Sequence, residues 1–185
     1  TGTFGKIGII SFNGNKTITT GGGGVILTDD REIAYQAKYL STTAKQPHAF
    51  SYMHTDIGFN YRMPNLNAAL GCAQLEKLPY FLNSKRRLFN LYFDAFFKVE
   101  NVLLFQEPIH CRSNYWLQTL LLDEELVPYH EDIIVSCINS GINVRPVWTP
   151  LHLLPIFADS PAASLPVTIN LAKRLINIPS SAGIS

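Results

Sequence analysis

The chain has 185 residues, of which 46% are hydrophobic and 16% are charged, and its formal net charge is +1. This composition predicts a folded protein with a buried core and gives no electrostatic reason to expect binding to nucleic acid or a membrane surface. The three cysteines lie far apart and lack the ligand spacing of a zinc site or the pattern of a disulfide framework. We therefore expect no metal and no membrane helix, and a cytoplasmic protein.

The first part of the chain predicts short strands, a helix and a long loop. Residues 7–12 and 25–27 are apolar and β-rich, with turn-forming Asn and Gly residues between them. Asp29 or Asp30 can cap a helix through REIAYQAKYL, because a carboxylate accepts hydrogen bonds from first-turn N–H groups. Residues 41–63 show no clean period, and loops of this length inside compact proteins are usually functional.

Two further helices are predicted, with Pro79 interrupting or kinking the run between them. Pro64 suits the start of a helix through NLNAALGCAQLEKL, whose small residues predict close packing against a neighbour. Apolar residues at helical spacing over 80–99 predict a second, amphipathic helix. The basic residues of this helix, which we place on its solvent face, are Lys85, Arg86 and Arg87.

Beyond Asn101 the pattern predicts a compact α/β unit. NYWLQTLLL reads as a buried strand, HEDIIVSCINS as a helix ended by Gly141 in a left-handed conformation, and NVRPVW as another strand. TPLHLLPIF reads as a loop, NLAKRL as a short helix and INIP as a last strand. The fold class is therefore α/β, with the end of a larger sheet domain before a small one. Both ends of the chain suggest a piece of a longer protein.

Lys16 lies in a permissive turn directly after the first predicted strand, in SFNGNKTITTGGGGVILTDD. The Ser11 hydroxyl and the backbone N–H groups at a strand's end can donate hydrogen bonds to a phosphate. A partly desolvated lysine amine can condense with an aldehyde, and glycines let the backbone pass close to a bound ring. Together these features suit pyridoxal 5'-phosphate (PLP), although the residues alone favour an ordinary hairpin with a solvated lysine.

Three segments carry a resemblance to a known family: FGKIGIISFNGNKTITTGGGGVILTDD, GFNYRMPNLNAALGCAQLEKL and INVRPVWTPLH. Over essentially the whole chain they resemble the DegT/StrS-type (DegT/DnrJ/EryC/StrS) PLP-dependent nucleotide-sugar aminotransferases. The resemblance implies the fold of aspartate aminotransferase (fold type I), of which this chain would be the C-terminal half. Residues 1–79 would end the large PLP-binding domain, with its mixed sheet. Residues 80–185, beginning with a linking helix at 80–99, would form the small α/β domain.

The resemblance also implies roles for individual residues. Lys16 stands where the family has its Schiff-base lysine, and Ser11 where a serine holds the cofactor phosphate. Asn60 matches the asparagine of a G-x-N-Y-R-M motif that reaches the cofactor phosphate of the neighbouring subunit. This implies a homodimer with shared active sites. The acidic partner of the pyridine nitrogen and the aromatic group on the ring would come from sequence upstream of Thr1.

Five residues are softer candidates for substrate binding, and each has a structural alternative. Arg62 can bind substrate phosphates or form an ion pair, and Tyr61 can stack in the pocket or pack in a core. His54 and His152 lie in loops that can face the sugar, although lone loop histidines are more often incidental. Trp148 can form a wall of the sugar site or serve only packing.

The implied function is transfer of an amino group from L-glutamate to a 4-keto-6-deoxy nucleotide-linked sugar, for polysaccharide or glycan biosynthesis. Many family members carry glutamate at the position of Gly22, and the all-glycine form favours a UDP-linked amino-sugar. Lys16 argues against the branch that replaces the lysine with histidine and removes a hydroxyl. Two alternatives stay open. One is a non-catalytic sensor or scaffold that binds the cofactor or a sugar nucleotide. The other is a free-standing interaction domain, which would expose the apolar strand at 7–12.

Overall fold

A computed structural model describes residues 2–184. These residues divide into two compact units, one ending at Pro79 and the other beginning at Tyr80. The helices in this part of the chain all fall short of the length and apolar character needed to cross a membrane.

The first unit contains an antiparallel hairpin and two helices. Its elements are β1 (Gly8–Ser11), β2 (Gly24–Leu27), α1 (Arg31–Ser41) and α2 (Asn65–Glu76). The two strands pair antiparallel from Gly8 opposite Leu27 to Ser11 opposite Gly24. The carboxylate of Asp30 accepts hydrogen bonds from the first-turn N–H groups of α1, which confirms the predicted cap and selects Asp30 over Asp29. Helix α2 starts directly after Pro64, as predicted.

Most apolar side chains of the first unit are exposed. Ile9 of β1 is 69% exposed and Ile26, its partner on β2, is 48% exposed. The buried hydrophobic cluster of the described residues lies wholly in the second unit. Strands that are apolar on both faces belong inside a larger, covered sheet. This exposed hairpin argues against the interpretation of the chain as a free-standing domain, because the apolar surface would face water.

The long segment at 41–63 is tied down rather than loose. The Thr43 amide donates to the Phe59 carbonyl (3.0 Å), and the Phe59 amide donates to the Leu40 carbonyl (2.7 Å). Thr43 has a positive φ of 68°. A Cβ added at Gly58 would lie 2.4 Å from the Thr43 carbonyl carbon, so only glycine fits this close backbone crossing. The segment is therefore a packed hairpin-like arm that returns the chain to the end of α1.

The second unit is a four-stranded antiparallel sheet with flanking helices, and its strand order is β3-β4-β6-β5. Its elements are α3 (Leu78–Phe96), β3 (Val102–Leu104), β4 (Gln118–Leu122), α4 (His130–Asn139), β5 (Arg145–Pro146), α5 (Pro166–Ala172) and β6 (Leu175–Ile178), with 3-10 turns at Glu124–Tyr129, Leu151–Leu153 and Pro155–Phe157. The core residues are Leu104, Leu120, Leu122, Ile134, Val144, Ile176 and Ile178.

The predicted elements of this unit are present with some shifts. Gly141 ends α4 with a φ of 78°, as predicted. Strand β3 was missed, because its three residues are too few to show a period. The last helix was predicted at 170–175, whereas α5 spans Pro166–Ala172 because Pro166 is a favourable first-turn residue.

The prediction of a basic solvent face on α3 is wrong for two of its three residues. Lys85 is only 5% exposed, and its ammonium group donates to the carbonyls of Ser180 and Trp116. Burial lowers the pKa of Lys85. Arg86 forms a two-pronged hydrogen-bonded pair with Glu107, at 2.9 and 3.0 Å. The partners of both charges, which are the carbonyls of Trp116 and Ser180 for Lys85 and the Glu107 carboxylate for Arg86, come from distant segments of the chain. The spacing of residues within α3 therefore could not reveal them.

Candidate active site

The candidate site is the connection between β1 and β2, which carries Ser11 and Lys16. Phe12 closes its base, since its amide donates to the Gly23 carbonyl (2.9 Å) and its carbonyl accepts from the Thr20 amide (3.0 Å). The Thr19 hydroxyl also donates to the Phe12 carbonyl, at 3.2 Å. Residues 13–19 thus form a short loop whose two ends are held together.

Lys16 closes a tight turn within this loop. Its amide donates to the Asn13 carbonyl (3.0 Å), and the Asn13 side-chain amide donates to the Asn15 side-chain oxygen (3.3 Å). The Asn13 amide donates to the Ser11 hydroxyl oxygen, at 3.3 Å. Lys16 is partly buried, whereas Ser11 is exposed. The asparagines therefore form the turn, as predicted, and they bring Ser11 and Lys16 to the same end of the hairpin.

The four glycines after Thr20 are not equivalent. Gly21 and Gly23 have φ values of +80° and +105°, which other residues rarely adopt. A Cβ on Gly24 would lie 2.7 Å from the Ile10 carbonyl oxygen of the paired strand. A Cβ on Gly22 would meet nothing within 4 Å. Only position 22 of this run can carry a side chain without strain.

Helix α2 lies against this loop. The Asn67 side-chain amide donates to the Thr20 carbonyl (2.5 Å), and the Gln74 side-chain oxygen lies 3.5 Å from the Thr19 amide nitrogen. A Cβ on Gly71 would come within 2.9 Å of the Thr20 methyl group. The predicted close packing of the small-residue helix is thus found at Gly71.

The motif residues Asn60, Tyr61 and Arg62 lead into α2. Asn60 is exposed and forms an isolated bridge with Thr42. Tyr61 is 76% exposed and stacks on Phe59, so it does not pack in a core of this chain. Arg62 is exposed and forms no ion pair within residues 2–184. All three side chains are therefore available to contact a ligand or a partner.

This segment also touches the glycine run. The Met63 methyl lies 3.1 Å from the position that a Cβ would occupy on Gly23. The next residue after Arg62 therefore packs beside the connection that carries Lys16.

His54 has a structural partner. Its Nδ1 lies 2.7 Å from the Thr43 carbonyl oxygen, which can only accept, so Nδ1 donates. The backbone of His54 also forms an isolated antiparallel β-bridge with that of Lys45 across the arm. These contacts support the interpretation that His54 holds the arm.

Trp148 and His152 belong to the second unit. Trp148 is 67% exposed and stacks on Trp116, with ring centroids 6.1 Å apart. His152 is partly buried in a 3-10 turn, and its Nε2 is buried with no hydrogen-bond partner among the described residues. The Trp148 ring is therefore accessible to another molecule, whereas the His152 Nε2 is enclosed by protein.

The residues of the Lys16 connection fit PLP. The Ser11 hydroxyl accepts from Asn13 and so retains its own proton to donate to a phosphate oxygen. The Thr17 hydroxyl, next to Lys16, is buried and has no hydrogen-bond partner within the part of the chain that the structure describes. A primary amine and two hydroxyl groups that can still donate, all on one hairpin connection, match the chemistry of an aldehyde that carries an anion.

Sequence reasoning did not identify Thr17, Asn67 or Gln74. Thr17 gave no signal, because a threonine in a polar turn is unremarkable. For Asn67 a signal existed: Asn67, Gly71 and Gln74 are spaced by four and three residues, which places them on one helix face. A polar stripe that contains a glycine, on a helix of otherwise small and apolar residues, indicates a face that contacts backbone.

Comparison with known proteins identifies the relatives of this chain. The model of the DegT/DnrJ/EryC1/StrS aminotransferase family matches residues 1–185. EpsN of Bacillus subtilis (strain 168), whose name describes a PLP-dependent aminotransferase, is 40% identical over 188 residues, covering 100% of this chain and 48% of EpsN. A GDP-perosamine synthase of Caulobacter vibrioides is 32% identical over 185 residues, covering 100% of this chain and 50% of that protein.

The fold has a solved counterpart in the aminotransferase TlmJ from Streptoalloteichus hindustanus, with a TM-score of 0.89 at 24% identity, covering 100% of this chain and 49% of TlmJ. This match confirms the predicted α/β fold of a PLP-dependent transferase. The chain spans about half the length of the curated relatives it matches.

Proposed function

Because the chain belongs to the DegT/DnrJ/EryC1/StrS aminotransferase family, we propose that it is part of a PLP-dependent enzyme that transfers an amino group to a nucleotide-linked sugar. The observation that carries the proposal is the joint position of Ser11 and Lys16 at one end of the β1–β2 hairpin, next to the buried Thr17 hydroxyl, which has no hydrogen-bond partner among residues 2–184. Residues up to Pro79 would be the end of the cofactor-binding domain, and those from Tyr80 the small domain.

When bound, PLP supplies the aldehyde and the electron-withdrawing ring that amino transfer needs. The Ser11 hydroxyl would donate a hydrogen bond to the phosphate group, and the Lys16 amine would hold the aldehyde. As a free amine, the Lys16 Nζ would take a proton from the amino acid's α carbon in the first half and deliver a proton to C4 of the sugar in the second. L-Glutamate and the keto-sugar thus become 2-oxoglutarate and the amino-sugar, with no further oxidant or reductant.

The proposed acceptor is a 4-keto-6-deoxy sugar linked to UDP, which the all-glycine run favours. A GDP-linked sugar is the second candidate, because a relative at 32% identity carries the name GDP-perosamine synthase. A panel of UDP-, GDP- and dTDP-linked keto-sugars, with glutamate as donor, distinguishes them by the rate of 2-oxoglutarate release. Cofactor binding without any 2-oxoglutarate would instead support a sensor or scaffold. Unpaired cysteines at 72, 111 and 137 fit the reducing cytoplasm that we propose as the location.

The test of the central claim is Lys16→Ala in the intact protein that contains this chain, with Lys6→Ala as control. Lys6 is exposed and precedes β1, so its loss leaves the site untouched. We expect wild type and the control to bind PLP with visible absorption, and borohydride reduction to label Lys16. Lys16→Ala should lose the label and turnover. Retention of both would disprove the proposed role of Lys16.

We also propose a homodimer in which Asn60 contacts the cofactor phosphate in the neighbouring subunit's site. Mixing Lys16→Ala and Asn60→Ala protomers tests this arrangement. Sharing leaves one intact site in each mixed dimer, so random mixing restores about a quarter of wild-type activity. If Asn60 acts within its own subunit, every site in the mixture lacks one residue, and no activity returns.

The structure supports the five candidate substrate-binding residues to different degrees. Arg62 and Tyr61 are exposed beside the motif asparagine, and we propose that they contact the nucleotide-sugar. Trp148 and His152 are proposed to contact the sugar from the small domain; the exposed ring of Trp148 supports this role, and His152 lies four residues after it. His54 is the weakest candidate, since its Nδ1 is already occupied.

A further inference from the structure

We propose that Asn67 of helix α2 is a positioning residue that holds the loop carrying Lys16 in its working geometry. The inference rests on the proposed role of Lys16 and assigns to Asn67, for which the family resemblance implied no role, the task of fixing that amine's backbone. Asn67 lies 51 positions away from Lys16 in the chain, and its side-chain amide donates a hydrogen bond to the Thr20 carbonyl at the end of the loop.

Thr20 is the point where the loop is held. It is 1% exposed, so its backbone groups need protein partners. Its amide donates to the Phe12 carbonyl (3.0 Å), which closes the base of the loop. Its carbonyl accepts from the Asn67 side chain (2.5 Å), which ties the same residue to α2. Loss of the Asn67 donor would leave a buried carbonyl without this partner.

Two further contacts between α2 and the loop lie next to the Asn67–Thr20 hydrogen bond. Gly71, one turn beyond Asn67 on the same face, lets the Thr20 methyl approach α2 closely. The Gln74 oxygen, 3.5 Å from the Thr19 amide, is a longer and weaker contact. Of these two polar contacts between α2 and the loop, the Asn67 bond is the shorter.

Fixing the loop matters because reactive groups must be held within a fraction of an ångström. A displacement of about 1 Å can cost about 100-fold in rate. Residues 13–15 of the turn are exposed, so they contribute little burial of their own. Attachment to helix α2 through Thr20 adds a fixed point at the base of the loop.

The experiment compares Asn67→Asp, Asn67→Ala and Asn65→Asp in the intact protein. Asn67→Asp keeps the shape but places an acceptor against the Thr20 carbonyl, whereas Asn67→Ala only removes the donor. Asn65 is exposed at the first residue of the same helix, so Asn65→Asp is the matched control. The first readout is hydrogen exchange of residues 12–23 in the cofactor-free protein. The second is the pH midpoint of the visible band of bound PLP, together with kcat and KM for glutamate.

We expect exchange at the Thr20 amide to rise at least about tenfold in Asn67→Asp, less in Asn67→Ala and not in Asn65→Asp. The pH midpoint should move in the same order, and kcat should fall about 10- to 100-fold with KM nearly unchanged. If Asn67→Asp and the control Asn65→Asp show the same exchange rate at the Thr20 amide and the same pH midpoint of the visible band, the inference is overturned. Hydrogen exchange needs no PLP. It therefore tests whether Asn67 holds the loop even if Lys16→Ala shows that the proposed chemistry is wrong.

Discussion

The contact between Gly71 and Thr20 makes a quantitative prediction about the Lys16 loop. In Gly71→Ala the added Cβ would lie 2.9 Å from the Thr20 methyl carbon, well inside the usual carbon–carbon contact distance of about 3.5–4.0 Å. Overpacking of this kind costs about 1–3 kcal/mol, whereas alanine in a helix interior gains about 1 kcal/mol over glycine. The net expectation is a loss of about 0–2 kcal/mol in the free energy of unfolding.

Thr20→Ser removes the methyl group that the new Cβ would strike. Alone it should cost about 1 kcal/mol, since it deletes one buried carbon. Combined with Gly71→Ala, the alanine fills the vacated space, so the double variant should be about as stable as wild type. The coupling energy between the two changes is then about 1–3 kcal/mol in favour of the double variant.

The assay is urea unfolding of the intact protein in all four forms of the cycle, with hydrogen exchange of residues 12–23 as a local readout. Gly22→Ala is the control, because it adds the same atom at an open position of ordinary φ and should be neutral or slightly stabilising. The packing argument would be refuted if the loss of stability in the double variant equalled the sum of the losses in Gly71→Ala and Thr20→Ser within about 0.5 kcal/mol. Such additivity is the behaviour of sites that do not contact each other.

Three further predictions concern the second unit and use unfolding of the intact protein, monitored for residues 80–185 by hydrogen exchange. Burial holds the pKa of Lys85 below its ordinary 10.5, so the unfolded chain binds more protons between the two values. Wild type should therefore gain stability relative to Lys85→Met as the pH rises toward that value, and a flat difference would contradict the burial. The Arg86 hydrogen bond lowers the pKa of Glu107, so the stability lost in Glu107→Gln should be present at neutral pH and vanish as acid protonates the carboxylate; an unchanged difference in acid would show that the pair does not matter. Leu122→Ala should cost about 2–5 kcal/mol, since Leu122 is 2% exposed, and a cost below about 1 kcal/mol would mean that the core collapses around the gap.

Local features of the chain could be predicted because their causes lie within a few residues. Asp30 caps α1, and Gly141 ends α4, through hydrogen bonds and backbone angles that neighbouring residues determine. The apolar period over 80–99 predicted α3, although its start at Leu78 includes Pro79. Asn13 and its neighbours form the turn that presents Lys16. The position of this candidate nucleophile directly after a strand could therefore be predicted from the sequence alone.

Contacts between distant segments could not be predicted in the same way. Lys85 reads as a surface lysine, yet carbonyls about 30 and 95 positions away enclose its ammonium group. Asn67 reads as an ordinary helix residue, yet it holds a carbonyl 47 positions earlier.

Motifs, periodicity and turn chemistry act between near neighbours, so the sequence alone predicted the family, most of the elements and Lys16 as the candidate nucleophile. Which charges are buried, and which side chains contact the Lys16 loop, became visible only in the folded chain. Burial depends on the segments that pack together, and that choice is the sum of many weak, long-range contacts that no short stretch of residues contains.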